Sequence, residues 1–202
     1  MVHILQGYSL SDARMATMFA DRKSLFVDLM RWSVPVVDGR YEIDQFDGPD
    51  ATYLIAVEAG AHVGSMRLLS TGRPHILDTV FPDLCDGTPP VGTTIAEITR
   101  LCLPCRLGAA RRLHVRNRLI SAMVDHAAVC GVTALTGVVT SGFLAQIMAM
   151  GWRCDRLGQP CDHDGVSLAA FRIDLDADTP DRLAATGIYT PGAIVAPLAQ
   201  AA

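Results

Sequence analysis

No uninterrupted apolar run in the 202-residue sequence reaches the roughly 20 residues that a membrane-crossing helix needs. The opening residues, MVHILQGYSLSDAR, have neither a basic region nor a long apolar core, so no signal peptide is expected. Net positive charge is lacking as well. Seventeen Lys+Arg against 21 Asp+Glu leave a charge of -4, which argues against a general nucleic-acid binder because phosphate binding needs a basic face. Internal repeats and linkers are also missing. The expectation is therefore one cytoplasmic domain over 1–202, with a mobile N-terminal segment and a mobile tail after Pro180 that holds Pro191, Gly192 and Pro197. In that compartment the six cysteines are expected as free thiols.

What is present is a globular chain, 50% hydrophobic and 19% charged, long enough to bury about 70% of its unfolded surface. From Ser11 to Arg31 the residues Met15, Met18, Phe19, Phe26, Leu29 and Met30 recur at helical spacing, with Ser11 as the N-cap. Thr52 to Glu58 and His62 to Ser70 read as strands joined by a turn at Gly60. The stretch CDGTPPVGT breaks regular structure before a further strand, TIAEITRLCL. A long helix follows, about Ala110 to Cys130, with Leu113, Ile120, Met123, Val124 and Ala127 on one side and Gly131 closing it. Then come the strand VTALTGVVT, a short helix capped by Ser141 and closed by Gly151, and the strand GVSLAAFRIDL. A strand pair followed by strand–helix–strand–helix–strand predicts an α/β fold, a mixed central sheet with helices on both faces.

Charges interrupt this pattern. Arg67 stands in VGSMRLL, and Glu97 and Arg100 stand in AEITRLCL. Removing an unpaired charge from water costs several kcal/mol, so such residues need partners or must face water on edge strands. The scarce acids supply partners: Glu42, Asp44, Asp47 and Asp50 lie within nine positions. Arg22, Phe26 and Trp32 add a cation and two rings near the first helix. Asp47 with Arg67 is expected as a structural pair, Asp44 with Arg100 as a second, and Asp50 and Glu42 as solvated neighbours.

In order and spacing, Arg22-x3-Phe26-x5-Trp32, Glu42-x-Asp44-x2-Asp47, Gly64-x2-Arg67-Leu68, Phe81, Glu97-x-Thr99-Arg100 and the later GWRCDRLGQP resemble the signature of LuxI-type acyl-homoserine-lactone synthases. The resemblance implies a GNAT-like acyltransferase fold. It also implies transfer of an acyl group from an acyl thioester to the amine of S-adenosylmethionine, then lactone closure and release of methylthioadenosine, giving a quorum-sensing signal. Both molecules are substrates, and no cofactor or metal is implied. Acyl carrier protein or acyl-coenzyme A is the expected donor. Ala96, Thr99 and Leu101 depart from the family's usual Trp, Ser and Phe, and CRLGAARR only approximates a phosphate loop, so acyl preference does not carry over.

On this reading Arg22, Phe26, Trp32, Asp44, Asp47, Arg67 and Arg100 hold S-adenosylmethionine by charge and by cation–π attraction to its sulfonium. Glu97 is the candidate base, directly or through one water, with Asp44 second and Arg100 beside them. Glu97 and Arg100 are three apart and would face opposite sides of a regular strand, so a bulge or splay is predicted near 97–100. Phe81, Leu101, Thr140, Val138, Leu144 and Met148 are assigned to the acyl pocket and thioester. Arg111, Arg112 and Arg153 are assigned to the carrier, within a run from Arg106 to Arg118 that has five arginines and no acid.

Rival readings use other residues. Cys102-Leu-Pro-Cys105 has redox spacing, and Cys154, Cys161 and His163 suggest an irregular zinc set. A GNAT-type enzyme acting on another cationic amine, without lactone closure, is the nearer alternative.

Overall fold

The computed structural model describes residues 1–192 and the backbone of residues 194–195. Two compact units divide the chain, and neither is one continuous segment. The first takes Met1–Arg67, Arg100–Met123 and the residues from Thr190; the second takes Leu68–Thr99 and Val124–Tyr189.

In the first unit, β1 (Val2–Gln6) pairs antiparallel with β4 (Thr52–Glu58), Val2 opposite Ala56 and Gln6 opposite Thr52. A short hairpin, β2 (Val36–Val37) and β3 (Tyr41–Glu42), lies off the main sheet. The strand β5 (Ala61–Ser70) follows β4 in sheet order and β6 (Ile95–Cys102) follows β5. Residues 62 to 69 of β5 are all buried, so both its faces are covered, which explains a near-continuous apolar run rather than alternation. Gly64 is needed there. A Cβ would come within 2.6 Å of Val115 on α3 (Ala109–Val129) and 3.2 Å of Leu119, so glycine lets that helix lie close on the strand.

The first helix begins later than its spacing suggests and ends differently. Asp12, not Ser11, caps α1 (Ala13–Arg22), accepting a hydrogen bond from the Arg14 N–H. From Lys23 to Leu29 the turn widens to π geometry, with Met30 N–H bonded to the Leu25 carbonyl. On α3, Leu113 is half-exposed at 50%, whereas Ile120, Met123, Val124 and Ala127 are buried as predicted.

In the second unit, β6 runs parallel to β7 (Ala134–Thr140), with Ile95 opposite Ala134 and Glu97 opposite Thr136, where the pairing stops. Arg100 then has φ +52, a left-handed backbone kink within β6. The predicted bulge is therefore present. Outward from β7 come β10 (Val166–Asp174), antiparallel in register Leu168 to Thr140, and two short strands, β8 (Arg153–Arg156) and β9 (Cys161–His163). Gly137 is required in β7, since a Cβ would meet the Phe171 ring at 2.8 Å and the Ile98 carbonyl at 3.0 Å. Helix α2 (Ile76–Thr79) is a single turn, and α4 (Ser141–Met148) takes Thr140 rather than Ser141 as its N-cap. The expected tail begins inside α5 (Thr179–Ala185), whose Leu183 is fully buried, and Pro197 lies outside the described residues. Sheet strand β11 (Ile194–Val195) pairs parallel with β1 in the first unit. The result is a mixed sheet flanked by helices.

Candidate active site

Six charged side chains close on one another in the first unit. Arg22, Glu42, Asp44, Asp47 and Arg67 are all buried, and the Arg100 side chain is 11% exposed. Three guanidiniums balance three carboxylates. The Arg22 fork grips Asp47 with both Nη atoms at 2.9 Å, and its Nε donates to Glu42. Arg67 grips Asp44 in the same way, at 2.6 and 3.0 Å, and reaches Asp47 at 2.7 Å. Arg100 joins the remaining acceptors: its Nη2 lies 2.7 Å from Asp44 and 3.0 Å from Glu42. Bidentate guanidinium–carboxylate bonds are short and directional, which is why this cluster is built from arginine.

The local sequence explains how two aspartates three apart both point inward. Asp47 N–H donates to the Asp44 carbonyl, and the Asp44 N–H donates back to the Asp47 carboxylate at 2.9 Å. Asp44 also accepts from the Phe46 N–H at 2.9 Å. The loop thus satisfies its own backbone before meeting the arginines. Burial opposes charge on Asp47, yet Arg22 and Arg67 outweigh it and hold this carboxyl well below the usual range. Burial likewise opposes charge on Arg22, while Asp47 and Glu42 more than offset it and raise its pKa.

Arg100 is where the cluster meets its surroundings. Its guanidinium lies 5.7 Å from the Phe26 ring and 6.0 Å from the Trp32 ring. Those rings stack on each other, 4.8 Å between centroids and 10° apart, with Phe26 buried and Trp32 half-buried. The π turn and its unusual exit bring this about: Trp32 N–H returns to the Phe26 carbonyl, and Arg31 between them has φ +61. All seven residues assigned to S-adenosylmethionine therefore lie together, and both predicted pairs, Asp47–Arg67 and Asp44–Arg100, are formed.

Glu42 overturns its expectation. It is fully buried and bonded to both Arg22 and Arg100 rather than solvated, because three arginines need a third acid. Asp50 is exposed as expected. Two residues were missed. Tyr53 is fully buried and donates its hydroxyl to Asp47 at 2.8 Å, and Phe46 lies 5.9 Å from the Arg67 guanidinium. A tyrosine inside the apolar strand TYLIAVE was the available signal, since a buried hydroxyl needs an acceptor.

Glu97 belongs to the second unit and is fully buried. One carboxylate oxygen accepts the Ile76 N–H at 2.8 Å and the other the Leu77 N–H at 2.7 Å, so Glu97 clasps the first turn of α2. Of the residues of this unit assigned to the acyl pocket, Phe81 and Val138 pack on one cluster around Leu77, Leu84 and Ala170. Thr140 is half-buried opposite Leu168, Leu144 is buried, and Met148 is 40% exposed. Leu101 is half-buried on β6 in the first unit.

The arginines assigned to the carrier differ in state. Arg111 pairs with Glu58 at 2.6 Å and Arg153 with Asp176 at 3.2 Å, whereas Arg112 is half-buried with no side-chain partner among the described residues. The rival cysteine readings gain no geometry. All six cysteines are free, burial pushes the Cys102 thiol far up, and no group of three metal-binding side chains occurs among the described residues.

The mixed sheet flanked by helices is a fold found in solved N-acyltransferases. An acyl-CoA N-acyltransferase from Pseudomonas aeruginosa shares it, with TM-score 0.58 over 85% of this chain and 98% of that one, at 14% identity, a likeness of fold alone. Solved structures include a nearer one, MesI, described as a CoA-dependent acyl-homoserine lactone synthase. Its TM-score is 0.84 at 26% identity, covering 97% of this chain and all of that one. An acyl-homoserine-lactone synthase of Ralstonia nicotianae (strain ATCC BAA-1114 / GMI1000) is 35% identical over 199 residues, 95% of this chain and 94% of its own. The autoinducer synthase family model matches residues 6–183. The chain belongs to the autoinducer synthase family, and its function is that of an acyl-homoserine-lactone synthase.

Proposed function

We propose that the chain transfers an acyl group from acyl-coenzyme A to the amine of S-adenosylmethionine and closes the product to its lactone. One observation carries the choice of acceptor: a charge-balanced cluster whose least buried guanidinium, Arg100, borders stacked Phe26 and Trp32. S-adenosylmethionine offers a carboxylate for a guanidinium and a sulfonium for the rings. Arg22, Asp47 and Arg67 are spent on one another and serve to hold Asp44 and Arg100 in place. The choice of donor follows the likeness to MesI.

In the first step the neutral amine attacks the thioester carbonyl, forming the amide and releasing the coenzyme A thiol. Glu97 takes the amine proton, directly or through one water. Asp44 is the poorer base because its two oxygens already receive Arg67, Arg100 and the Phe46 N–H. Backbone N–H groups of β6 beyond its pairing with β7 supply donors for the carbonyl oxygen as charge develops. In the second step the substrate carboxylate attacks the carbon bonded to sulfur. A C–O bond forms, the C–S bond breaks, and the electron pair leaves with methylthioadenosine. Holding the carboxylate in line is a proximity task that suits Arg100.

The test is a product assay with purified protein, S-adenosylmethionine and a panel of acyl-coenzyme A and acyl-carrier thioesters. Methylthioadenosine that depends on the thioester, with a matching lactone mass, is the expected result. Free thiol without methylthioadenosine would instead indicate another amine acceptor.

A further inference from the structure

Glu97 has fully buried polar neighbours in the second unit. Thr136 stands opposite it where β6 pairs with β7, and residues paired across two strands point to the same face of a sheet. That face is the one α2 covers, because Val138, two residues on and so on the same side, packs with Leu77. His75 stands directly before Ile76, whose N–H donates to Glu97. Thr136 and His75 are both fully buried. Yet Thr136 Oγ1 and His75 Nε2 have no hydrogen-bond partner among the described residues. Arg172, opposite Thr136 on β10, is turned to Asp174 at 2.8 Å.

A buried hydroxyl or ring nitrogen left unpaired is costly, and two of them beside one carboxylate mark a place for a polar atom that the chain does not itself supply. Their chemistry indicates which. His75 Nδ1 lies 3.0 Å from the Arg73 carbonyl and 3.3 Å from the Asp78 carboxylate, both acceptors, which assigns the hydrogen of the neutral ring to Nδ1 and leaves a lone pair on Nε2. The site thus offers two acceptors, Glu97 and His75 Nε2, and one donor, the Thr136 hydroxyl. Water matches that set: its two hydrogens go to the acceptors, one lone pair takes the hydroxyl, and the other is left for a substrate hydrogen. We propose that Thr136 and His75 hold one water against Glu97, and that the amine proton reaches Glu97 through it. This rests on the acyl-transfer reading above, with Glu97 as base. In the transfer the amine N–H bond and one water O–H bond break, while an O–H bond forms on the water and another on Glu97, so the water is regenerated. Thr136 and His75 act through Glu97 and are positioning residues.

The experiment follows acyl transfer in a single turnover, as loss of the thioester from acyl-coenzyme A or acyl-carrier protein with S-adenosylmethionine in excess. It compares wild type with Thr136→Val, Thr136→Ser, His75→Asn and Glu97→Gln, with thermal unfolding alongside. Valine keeps the shape of threonine without the hydroxyl, and asparagine puts an amide N–H where Nδ1 stands while ending short of Nε2. Thr136→Val and His75→Asn should each slow transfer about 3- to 10-fold, the loss of one hydrogen bond, with half-saturation by S-adenosylmethionine unchanged. Thr136→Ser should keep most of the rate. Because valine removes an unpaired buried hydroxyl, the melting temperature of Thr136→Val should hold or rise, which separates a slow enzyme from a damaged fold. A wild-type rate in either Thr136→Val or His75→Asn overturns the proposal, which needs both groups. A loss in Thr136→Val that serine does not restore also overturns it, since the methyl and not the hydroxyl would then matter. Glu97→Gln at the wild-type rate would fail the parent reading of the base and the proposal with it; a slow Glu97→Gln beside an unchanged Thr136→Val would fail the proposal alone.

Discussion

Asp47 and Glu97 are both buried carboxylates in this molecule, and they are held in opposite ways. Asp47, in the first unit, is surrounded by side chains: two arginine forks and the Tyr53 hydroxyl, plus one backbone N–H. Glu97, in the second, receives the backbone N–H groups of Ile76 and Leu77. The first solution neutralises a full charge with full charges. The second meets it with neutral donors at the start of one helical turn. The difference sets what each side chain can do. A carboxylate locked between guanidiniums is scaffold, whereas one whose oxygens accept backbone amides can still serve a reacting group.

Removing Asp47 should therefore have the largest effect on stability. Asp47→Ala leaves Arg22 and Arg67 buried with too few acids, and breaking such a buried pair costs about 3–5 kcal/mol. That is a large part of the 5–15 kcal/mol typical of a domain. Thermal or urea unfolding measures it. The pH dependence has a definite sign. The folded pKa of Asp47 lies below its ordinary value, so its contribution is full above about pH 4, the unfolded range, and is lost as pH falls through the folded pKa. Wild type should lose stability with acid below about pH 4 more steeply than Asp47→Ala does. Parallel curves would show that the cluster is not held by this charge.

Glu97→Gln should be milder for the fold and severe for turnover. The amide oxygen still accepts one of the two N–H groups, while its NH2 faces the other and leaves a neutral donor unsatisfied, about 1–3 kcal/mol. A neutral orphan costs less than a charged one, so the melting temperature should fall less than for Asp47→Ala. Loss of the base should lower kcat for methylthioadenosine release by about 10²- to 10⁴-fold. If kcat falls no further than stability explains, Glu97 is a clasp for α2 and another group takes the proton.

The same contrast explains what could be read from the sequence. The cluster was legible because both halves of each bond are side chains: arginines stranded in apolar strands and acids massed in one loop require each other. Counting would have gone further, since Arg22, Arg67 and Arg100 against Asp44 and Asp47 leave one cation over, which Glu42 neutralises. Two partners of Glu97 are backbone amides about twenty residues away, and no side-chain pattern carries that information. Strands with a clear apolar rhythm, such as Thr52–Glu58, fall where expected. The strands β2, β3, β8 and β9, two to four residues long, are too short to show a period and exist through their pairing. The π turn over Lys23–Leu29 keeps the apolar spacing of an α-helix and changes only its bonding, so it too was invisible.

Tyr53→Phe is the smallest test and the sharpest for the scaffold half of the comparison. It removes one neutral donor from Asp47 and leaves the ring, which packs edge-on against Phe19 at 6.0 Å. Asp47 keeps Arg22, Arg67 and the Asp44 N–H, so no buried charge is stranded. The expected cost is about 1 kcal/mol, well below that of Asp47→Ala, with kcat little changed. A loss near that of Asp47→Ala would mean that the hydroxyl, and not the arginines, sets the position of the loop. Little change in stability with a raised KM for S-adenosylmethionine would mean that Asp47 shifts enough to reach Arg100 through Asp44, which would make the buried cluster part of the binding surface rather than its support.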